Sequence, residues 1–541
     1  MPIAVQGCIL FWLLQDFDLF SVLLRAASLA LEALTVGGTA FLVIVAVPSQ
    51  IGPETLRGLR TAVSRAALAL AVVQVLAIAV SCAILIGGSG FSFLDVTTAD
   101  FFVWGTLLCA SVLALFLLMR ASSRKLLAGA PLAALVLLSS LGMSHAASRL
   151  DHRGILLVFT AFHHIGTAAW IGAMPFLLMA LRREKDTGAA TRYVSRFSAM
   201  AICSVSLLLL GGIGMSLFYA GSWQGVYGTT YGVMLLAKVY LFLIVVGMGA
   251  GNFLIVRQIK RGPAPLQIRL RRFSEAEIGL GFTAILAAAS LTSQPPAVDL
   301  IHDRLSAHEI VERMRWVQPR LTSPPFQALA PVTTIQVAIQ ESLFSSGWQD
   351  DANDRAWSEY NHHWAGLIVL SAGLLALLAR SQHFKWAQCW PLLFIALAVF
   401  IVLRADPENW PLGPRSFWAS FSSPDVLQHR LYALLIMAFA IFEWAAETDR
   451  LKWKAASYVF PILCAAGGAL MMTHSHPQAN LKDAMLIEMS HTPIALLGVT
   501  AGWSRWLELR LPQKRDSKIA SYVWPVCLML VGILLLNYRE S

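Results

Sequence analysis

Residues 66–87 read AALALAVVQVLAIAVSCAILIG, a run of 22 residues that contains no charged side chain. An α-helix rises about 1.5 Å per residue, so about 20 apolar residues are enough to cross the hydrocarbon core of a bilayer. A run this long does not suit the short, alternating strands of a membrane β-barrel. The segment therefore predicts a transmembrane helix.

The rest of the chain has the same character. Of its 541 residues, 57% are hydrophobic and only 13% are charged, whereas soluble domains carry about 25% charged residues. This composition excludes a soluble enzyme and predicts an all-α, polytopic transmembrane helical bundle. Apolar runs indicate about fourteen spans, near residues 19–47, 62–87, 99–119, 126–144, 155–181, 199–220, 230–256, 275–293, 364–379, 386–403, 425–446, 456–473, 485–504 and 521–537.

The basic residues support this map of spans. Most of the 41 Lys and Arg residues fall in seven alternate connections, which the positive-inside rule assigns to the cytoplasm. Both termini are then predicted to be periplasmic. Because the positive charge follows the loops, the net charge of +10 indicates a lipid bilayer rather than nucleic acid as the partner.

A polar stretch divides the chain into unequal halves. We predict an eight-span membrane domain at residues 1–296, a periplasmic connecting segment at 297–362 and a six-span membrane domain at 363–541. The connecting segment shows little periodicity beyond a short helix near residues 307–316. The seven cysteines are scattered singly without a CxxC motif, which indicates no zinc ribbon and no c-type haem attachment.

All histidines except His383 fall on the predicted outer side of the membrane. Several lie within spans, where ionisable groups are costly and usually mark ligand or ion pathways. The alternative is that each imidazole only hydrogen-bonds to a neighbouring helix or to interfacial water. The candidate metal ligands near this face are His145, His163, His164, Met471, Met472, His474, His476, Glu488 and His491.

Helical spacing strengthens the later candidates. Met471 and Met472 precede the two histidines within residues 474–476 by three and four residues, and Glu488 precedes His491 by three. Such separations place side chains on one helix face. Imidazole and thioether together suit copper, and soft sulfur favours Cu(I). The alternative for the methionines is ordinary core packing.

The candidates in the fifth span need a different argument. His163 and His164 are adjacent, hence about 100° apart around a helix, so at most one can point into a given site.

The later spans contain further polar candidates. Lys238 is a charged residue within the seventh span, and snorkelling to the outer surface is its alternative role. Asn252 and Glu277 lie nearer the cytoplasmic side, where they either continue an ion pathway or join helices by hydrogen bonds.

Four motifs, in this order, resemble the copper resistance protein D (CopD) family. They are GMSHA at residues 142–146, FHHIGTAAWIG at 162–172, YGVMLLAK at 231–238 with the later Asn252, and LTSQPP at 291–296. The resemblance covers roughly residues 20–296. In the second half, NHHWAG at 361–366, DPE at 406–408 and THSH at 473–476 resemble the C-terminal extension of some bacterial members.

The resemblance implies a non-enzymatic protein of the bacterial inner membrane that handles copper. Three hypotheses stay open: copper transport from the periplasm, electron transfer through b-type haem held by paired histidines, and delivery of bound copper to a periplasmic copper-binding protein. Copper is thus the expected ion, with haem as the alternative cofactor. No GxxxxGK[ST] loop occurs, so nothing indicates a nucleotide-driven pump.

Overall fold

The computed structural model describes residues 17–121, 123–184, 186–259, 264–325, 352–381, 383–406, 409–420, 424–451, 453–473, 481–511 and 514–540. Within these ranges the regular secondary structure is helical, apart from one isolated bridge between Asn409 and Arg415. The predicted all-α fold is therefore confirmed.

The main helices follow the predicted spans in chain order. Those of the first half are α1 (Phe17–Ala40), α2 (Pro53–Ser89), α3 (Asp100–Ala121), α4 (Gly129–Gly142), α5 (Arg153–Arg183), α6 (Thr187–Tyr219), α7 (Thr230–Ile259) and α8 (Ala264–Ser293). A short helix, α9 (Ala307–Met314), comes next. The remaining helices are α10 (Ala352–Ala379), α11 (Leu392–Arg404), α12 (Pro424–Glu447), α13 (Val459–Met471), α14 (Leu481–Arg510) and α15 (Lys514–Leu536).

Eleven helices in the described ranges are long and apolar enough to cross a membrane. Two further predicted spans match shorter apolar helices, Leu126–Gly142 and Ala455–Met471, and a third matches α14. Large apolar side chains are exposed along these helices; Val72 and Val75, for example, are 61% and 58% exposed. Continuous apolar faces of this kind suit lipid rather than water. The chain is a multi-pass membrane protein, while the total of fourteen spans and the orientation of the termini remain predictions.

The chain divides into two compact units. The first unit comprises Phe20–Trp223 and Lys238–Asp299. In it, α2 packs on α3, α3 on α4, and α5 on α6. Its core is built from small and branched side chains, which allow helices to approach closely in a membrane: Val36, Ala67, Leu70, Ala71, Leu108, Val112, Ala133, Val136 and Ala168.

The second unit comprises the described residues of Met1–Leu19, Gln224–Ala237 and Leu300–Ser541. Here α10 packs on α15, α11 on α12, and α14 on both α13 and α15. Its core is aromatic: the Trp390 ring lies 5.2 Å from the Trp524 ring and 5.6 Å from the Phe460 ring, between centroids. The predicted domain boundaries at residues 296 and 363 stay predictions.

The predicted short helix in the connecting segment is confirmed as α9. A capping box begins it, because Ser306 accepts from the backbone N–H of Glu309 while the Glu309 carboxylate accepts from that of Ser306. The Lys482 ammonium of α14 lies 3.2 Å from the same carboxylate. Leu305, just before α9, is buried against Met485. These contacts hold α9 to the rest of the second unit.

Candidate functional site

Within the first unit, α1 and α5 approach so closely that their backbones touch. A Cβ atom at Gly172 would lie 1.9 Å from the carbonyl oxygen of Ala33, and one at Gly37 would lie 2.1 Å from that of Ala168. Only glycine fits at such positions. The contact coincides with a π-helical turn in α5, at Ala168–Gly172, a feature that is frequent at functional sites. It fixes the facing sides of the two helices relative to each other.

This packing places a buried carboxylate of α1 beside a histidine of α5. Nδ1 of His164 lies 3.3 Å from Oε1 of Glu32, and Oε2 of Glu32 accepts a 2.7 Å hydrogen bond from the Ser140 hydroxyl. Glu32 is only 5% exposed. An N–H at Nδ1 that donates to the carboxylate leaves the Nε2 lone pair of His164 for a ligand, as in carboxylate–histidine–metal arrangements.

Polar contacts continue along the same face of α1. Ser28, four residues before Glu32, donates to Oε1 of Gln74 on α2 at 3.3 Å. Nε2 of Gln74 in turn donates to the sulfur of Met143 at 3.6 Å. The interior of the first unit therefore holds a set of polar side chains that ends in a thioether, and thioethers are ligands suited to soft metal ions.

His145 follows Met143 by two residues. It begins a short helix, His145–Ser148, and its Nε2 donates a 2.7 Å hydrogen bond to the carbonyl oxygen of Thr292 in the last turn of α8. A carbonyl oxygen can only accept, so the proton is on Nε2 and the lone pair is on Nδ1. The side chain is exposed. Its ligand-type nitrogen is therefore Nδ1.

His163 and His164 contact different helices, as their spacing predicts. His163 packs against α6, where its Nδ1 lies 3.8 Å from the position that a Cβ of Gly212 would take. Within the described part of the chain this Nδ1 has no hydrogen-bond partner. Lys238 of α7 lies close enough to His163 for an electrostatic interaction. The two histidines therefore have different surroundings, and the role of either one as a metal ligand stays a prediction.

Asn252 and Glu277 form a separate buried pair between α7 and α8. Nδ2 of Asn252 donates to Oε2 of Glu277 at 2.6 Å, and the two residues are 8% and 2% exposed. The Trp170 side chain also hydrogen-bonds to Glu277. These bonds join α5, α7 and α8, so helix joining, one of the two predicted roles, is observed.

The methionines predicted as ligands lie in the second unit. Met471 is the last residue of α13 and packs against the apolar core, and Met472 is 2% exposed in the following turn. Met471 therefore packs against the core and Met472 is buried, while their role as metal ligands stays a prediction. His474 and His476 lie outside the described residues.

The ExxH pattern lies on α14, where Glu488 is half-buried. Nδ1 of His491 donates to the carbonyl oxygen of Ile487 at 2.9 Å. A histidine that the candidate ligands did not include, His362, lies beside it, with ring centroids 5.9 Å apart and an interplanar angle of 87°. The His362 ring also stacks on Tyr538 at 3.8 Å. The structure therefore pairs His491 with a histidine from a distant part of the sequence.

Both ring nitrogens of His363, the residue after His362, form hydrogen bonds with backbone groups. Nδ1 of His363 accepts from the N–H of Arg320 at 2.7 Å, and its Nε2 donates to the carbonyl oxygen of Tyr538 at 2.9 Å. His363 is 3% exposed. With both ring nitrogens used, this side chain joins three segments and has no lone pair left for a metal ion.

Across the described ranges, no three His, Cys, Asp or Glu side chains are grouped so that they could hold a metal ion by themselves. A metal site at His164 would therefore need donors of another kind. The candidate residues from the sequence did not include Glu32, although an acidic residue inside the first apolar run was a visible signal.

The fold and these side chains define a polytopic helical membrane protein with a buried carboxylate–histidine site in its first unit. Comparisons with known proteins indicate which family of membrane proteins the chain is similar to. Residues 191–291 match the family model for copper resistance protein D, which confirms the predicted resemblance to the CopD family. The match includes Lys238, Asn252 and Glu277, and the histidines of α5 precede it.

Two curated relatives carry similar names. Copper transport protein CutJ of Bacillus subtilis (strain 168) is 28% identical over 163 residues, which are 30% of this chain and 29% of that protein. Copper resistance protein D of Pseudomonas syringae pv. tomato is 28% identical over 188 residues, 32% of this chain and 59% of the relative. The chain thus spans less than two thirds of the length of each relative. No solved structure matches it.

Proposed function

We propose that the chain handles copper ions at the bacterial inner membrane and moves them across it without enzymatic chemistry. The observation that carries the proposal is the contact between Glu32 and His164 inside the first unit. A carboxylate that orients a histidine from behind is typical of metal-ligating histidines. The names of the relatives and the CopD match, which falls largely in the same unit, support copper as the ion.

In this proposal, copper enters from the periplasmic side at His145 and reaches His164 inside the unit. The Glu32 carboxylate offsets the charge of a cation in a medium where an unpaired charge is costly. Met143 adds a thioether, and together with imidazole it favours Cu(I) over hard ions. His163 and Lys238 flank the site, and the latter disfavours a second cation by repulsion.

The ligands predicted in the second half form a separate outer set in this proposal. It contains His491 with Glu488, together with the residues of the twelfth span: Met471, Met472, His474 and His476. Such a set would receive copper from a periplasmic copper-binding protein before the first unit takes it. Nothing in this part of the proposal depends on the Glu32–His164 contact, so the two parts can fail separately.

Metal analysis of the purified full-length chain is the first test. Wild-type protein loaded with copper should retain it through gel filtration, and His164→Ala should retain measurably less, because it loses the copper of the first unit and keeps the outer set. His363→Ala is the matched control, because that histidine has no lone pair for a metal and should leave the copper content unchanged. Equal copper in wild type and His164→Ala would reject the site. A Soret band in the absorption spectrum would instead assign haem.

Transport is tested separately in proteoliposomes. Copper uptake into vesicles containing the wild-type chain should exceed uptake into empty vesicles, and His145→Ala combined with His163→Ala and His164→Ala should reduce it to background. Copper binding without uptake by the wild type would reject translocation and support the delivery hypothesis.

A further inference from the structure

Five charged side chains meet in the second unit near the C-terminal ends of α10, α12 and α14, and Arg505, the member closest in sequence to a candidate copper ligand, follows His491 by fourteen residues. They come from the end of α10 and from α12 and α14: Arg380, Glu443, Glu447, Arg505 and Glu508. Each guanidinium bridges two or three carboxylates, with N–O distances between 2.6 and 2.8 Å. We call this group the five-charge cluster.

The five-charge cluster is shielded from water. The two arginine side chains are 14% and 5% exposed, and the most exposed of the three glutamates is 11% exposed. Trp524 of α15 closes it, since its indole N–H donates to Oε2 of Glu508 at 2.7 Å. The same indole ring lies 5.1 and 5.4 Å from the guanidinium carbons of Arg380 and Arg505. The charges of the five-charge cluster therefore have to be balanced by groups within the cluster.

The charges do not balance if every group is ionised. Three carboxylates face two guanidiniums, which leaves one net negative charge in a dry environment. An uncompensated buried charge is strongly unfavourable, and ionisable groups in membranes usually avoid it by pairing or by changing protonation. One additional positive charge is needed, and a proton is the smallest ion that can supply it.

The hydrogen-bond pattern identifies the carboxyl group that would take this proton. Glu447 contacts both guanidiniums, and so does Glu508. Among the described residues, Glu443 forms an ion pair only with Arg505, through Oε1 at 2.7 Å, and neither of its carboxylate oxygens has a hydrogen-bond partner. Its side chain is 0% exposed. It is the carboxylate with the least compensation.

We propose that Glu443 holds a proton in the five-charge cluster and that the second unit therefore contains a proton-binding site. Apart from the other members of the cluster, the titratable group that interacts with Glu443 is the thiol of Cys464, which is uncharged in its usual form. It provides no balancing charge. Binding and release of the proton change the net charge at a junction of α10, α12, α14 and α15, so the packing of these helices responds to it. The inference does not depend on copper.

Infrared spectroscopy of the full-length chain tests the proposal, because a protonated carboxyl group absorbs separately from a carboxylate and shifts in D₂O. The wild type should show a protonated-carboxyl component at neutral pH that is absent from Glu443→Gln. This variant should keep the wild-type melting temperature, since Gln replaces a neutral acid of the same shape. Glu309→Gln, which alters an exposed carboxylate, is the matched control and should keep the component.

A second variant separates charge balance from a merely structural role. Glu447→Gln leaves two carboxylates with two guanidiniums, so Glu443 should release its proton and the same infrared component should disappear. A component that survives in Glu443→Gln, or that persists in Glu447→Gln, would overturn the proposal. So would a wild-type spectrum without the component in a protein whose melting temperature depends on sodium, since a bound cation would then balance the charge.

Discussion

The chain contains two His-His pairs, one in each unit, and the structure gives them different surroundings. In the first pair, His164 faces the carboxylate of Glu32, while the Nδ1 of His163 has no partner within the described residues. In the second pair, His363 uses both ring nitrogens on backbone groups, and His362 stacks on Tyr538. The dipeptides are identical, so the difference lies in what the fold brings to them.

The partner atoms decide what each pair can do. A carboxylate accepts a hydrogen bond from the N–H of an imidazole, and the other ring nitrogen keeps its lone pair for a metal. A backbone N–H instead donates to an imidazole nitrogen and occupies that lone pair. His164 thus keeps one ring nitrogen available for the metal ligation that we propose, whereas His363 joins segments of the backbone. The following changes test this comparison.

The largest effect is expected from Gly172→Ala. The new Cβ would lie 1.9 Å from a backbone oxygen of α1, which cannot move away alone, so we expect destabilisation of about 3 kcal/mol, the upper part of the range for overpacking. Copper binding should fall as well, because Glu32 moves away from His164. Thermal melting and copper titration would measure the two effects.

Its control is Gly467→Ala on α13 of the second unit, where a Cβ atom would meet nothing within 4 Å. That variant should be neutral or slightly stabilising, since Ala favours a helix over Gly. Similar melting temperatures for the two variants would show that the close contact between α1 and α5 does not matter.

Glu32→Gln should have the next largest effect. Replacing the partner behind a ligating histidine typically costs about 10- to 100-fold in metal affinity, so copper should bind to the first unit that much more weakly. Glu359→Gln, which removes the ion pair of Arg320 beside the second His-His pair, should leave the affinity unchanged. Copper titrations on both variants distinguish the pairs directly, and equal affinities would contradict the binding role of the first.

Most of the fold was predictable because membrane helices leave a strong local signal. Residues 66–87 required a helix from their composition alone, and the structure extends it over Pro53–Ser89. The short helix α9 was also visible from the sequence. The π-helical turn in α5 was not predicted, because no local pattern in the sequence indicated it; it coincides with the close approach of α1.

The site was predictable only in part. Position within a span identified His164, and helical geometry separated it from His163. Its partner Glu32 is 132 residues away in the sequence, and no local pattern links the two. The same limit explains why His362 was not joined to His491.

His363→Ala should affect stability and leave copper alone. The change leaves the N–H of Arg320 and the carbonyl oxygen of Tyr538 without their partner, and two lost hydrogen bonds at about 1 kcal/mol each predict a loss of about 2 kcal/mol. Thermal melting with copper-free and copper-loaded protein would measure it. A reduced copper content in this variant would mean that the second pair also binds, and the comparison would fail.

The smallest effect concerns acid pH and α9 of the second unit. Hydrogen bonds from the backbone and side chain of Ser306, and then Lys482, lower the pKa of Glu309 from its ordinary value of 4.5 to about 2. A lowered pKa means that the stabilisation is fully present above pH 4.5 and is lost as the pH falls towards about 2.

Hydrogen exchange of α9 should therefore show less protection at pH 3 than at pH 6 in the wild type, after correction for intrinsic rates. Glu309→Gln should remove most of this dependence, because an amide does not titrate. If the wild type were equally protected at both values, the carboxylate would not stabilise α9. Copper binding by the Glu309→Gln variant at neutral pH should equal that of the wild type, since this carboxylate supports the fold of the second unit and takes no part in the site on α5.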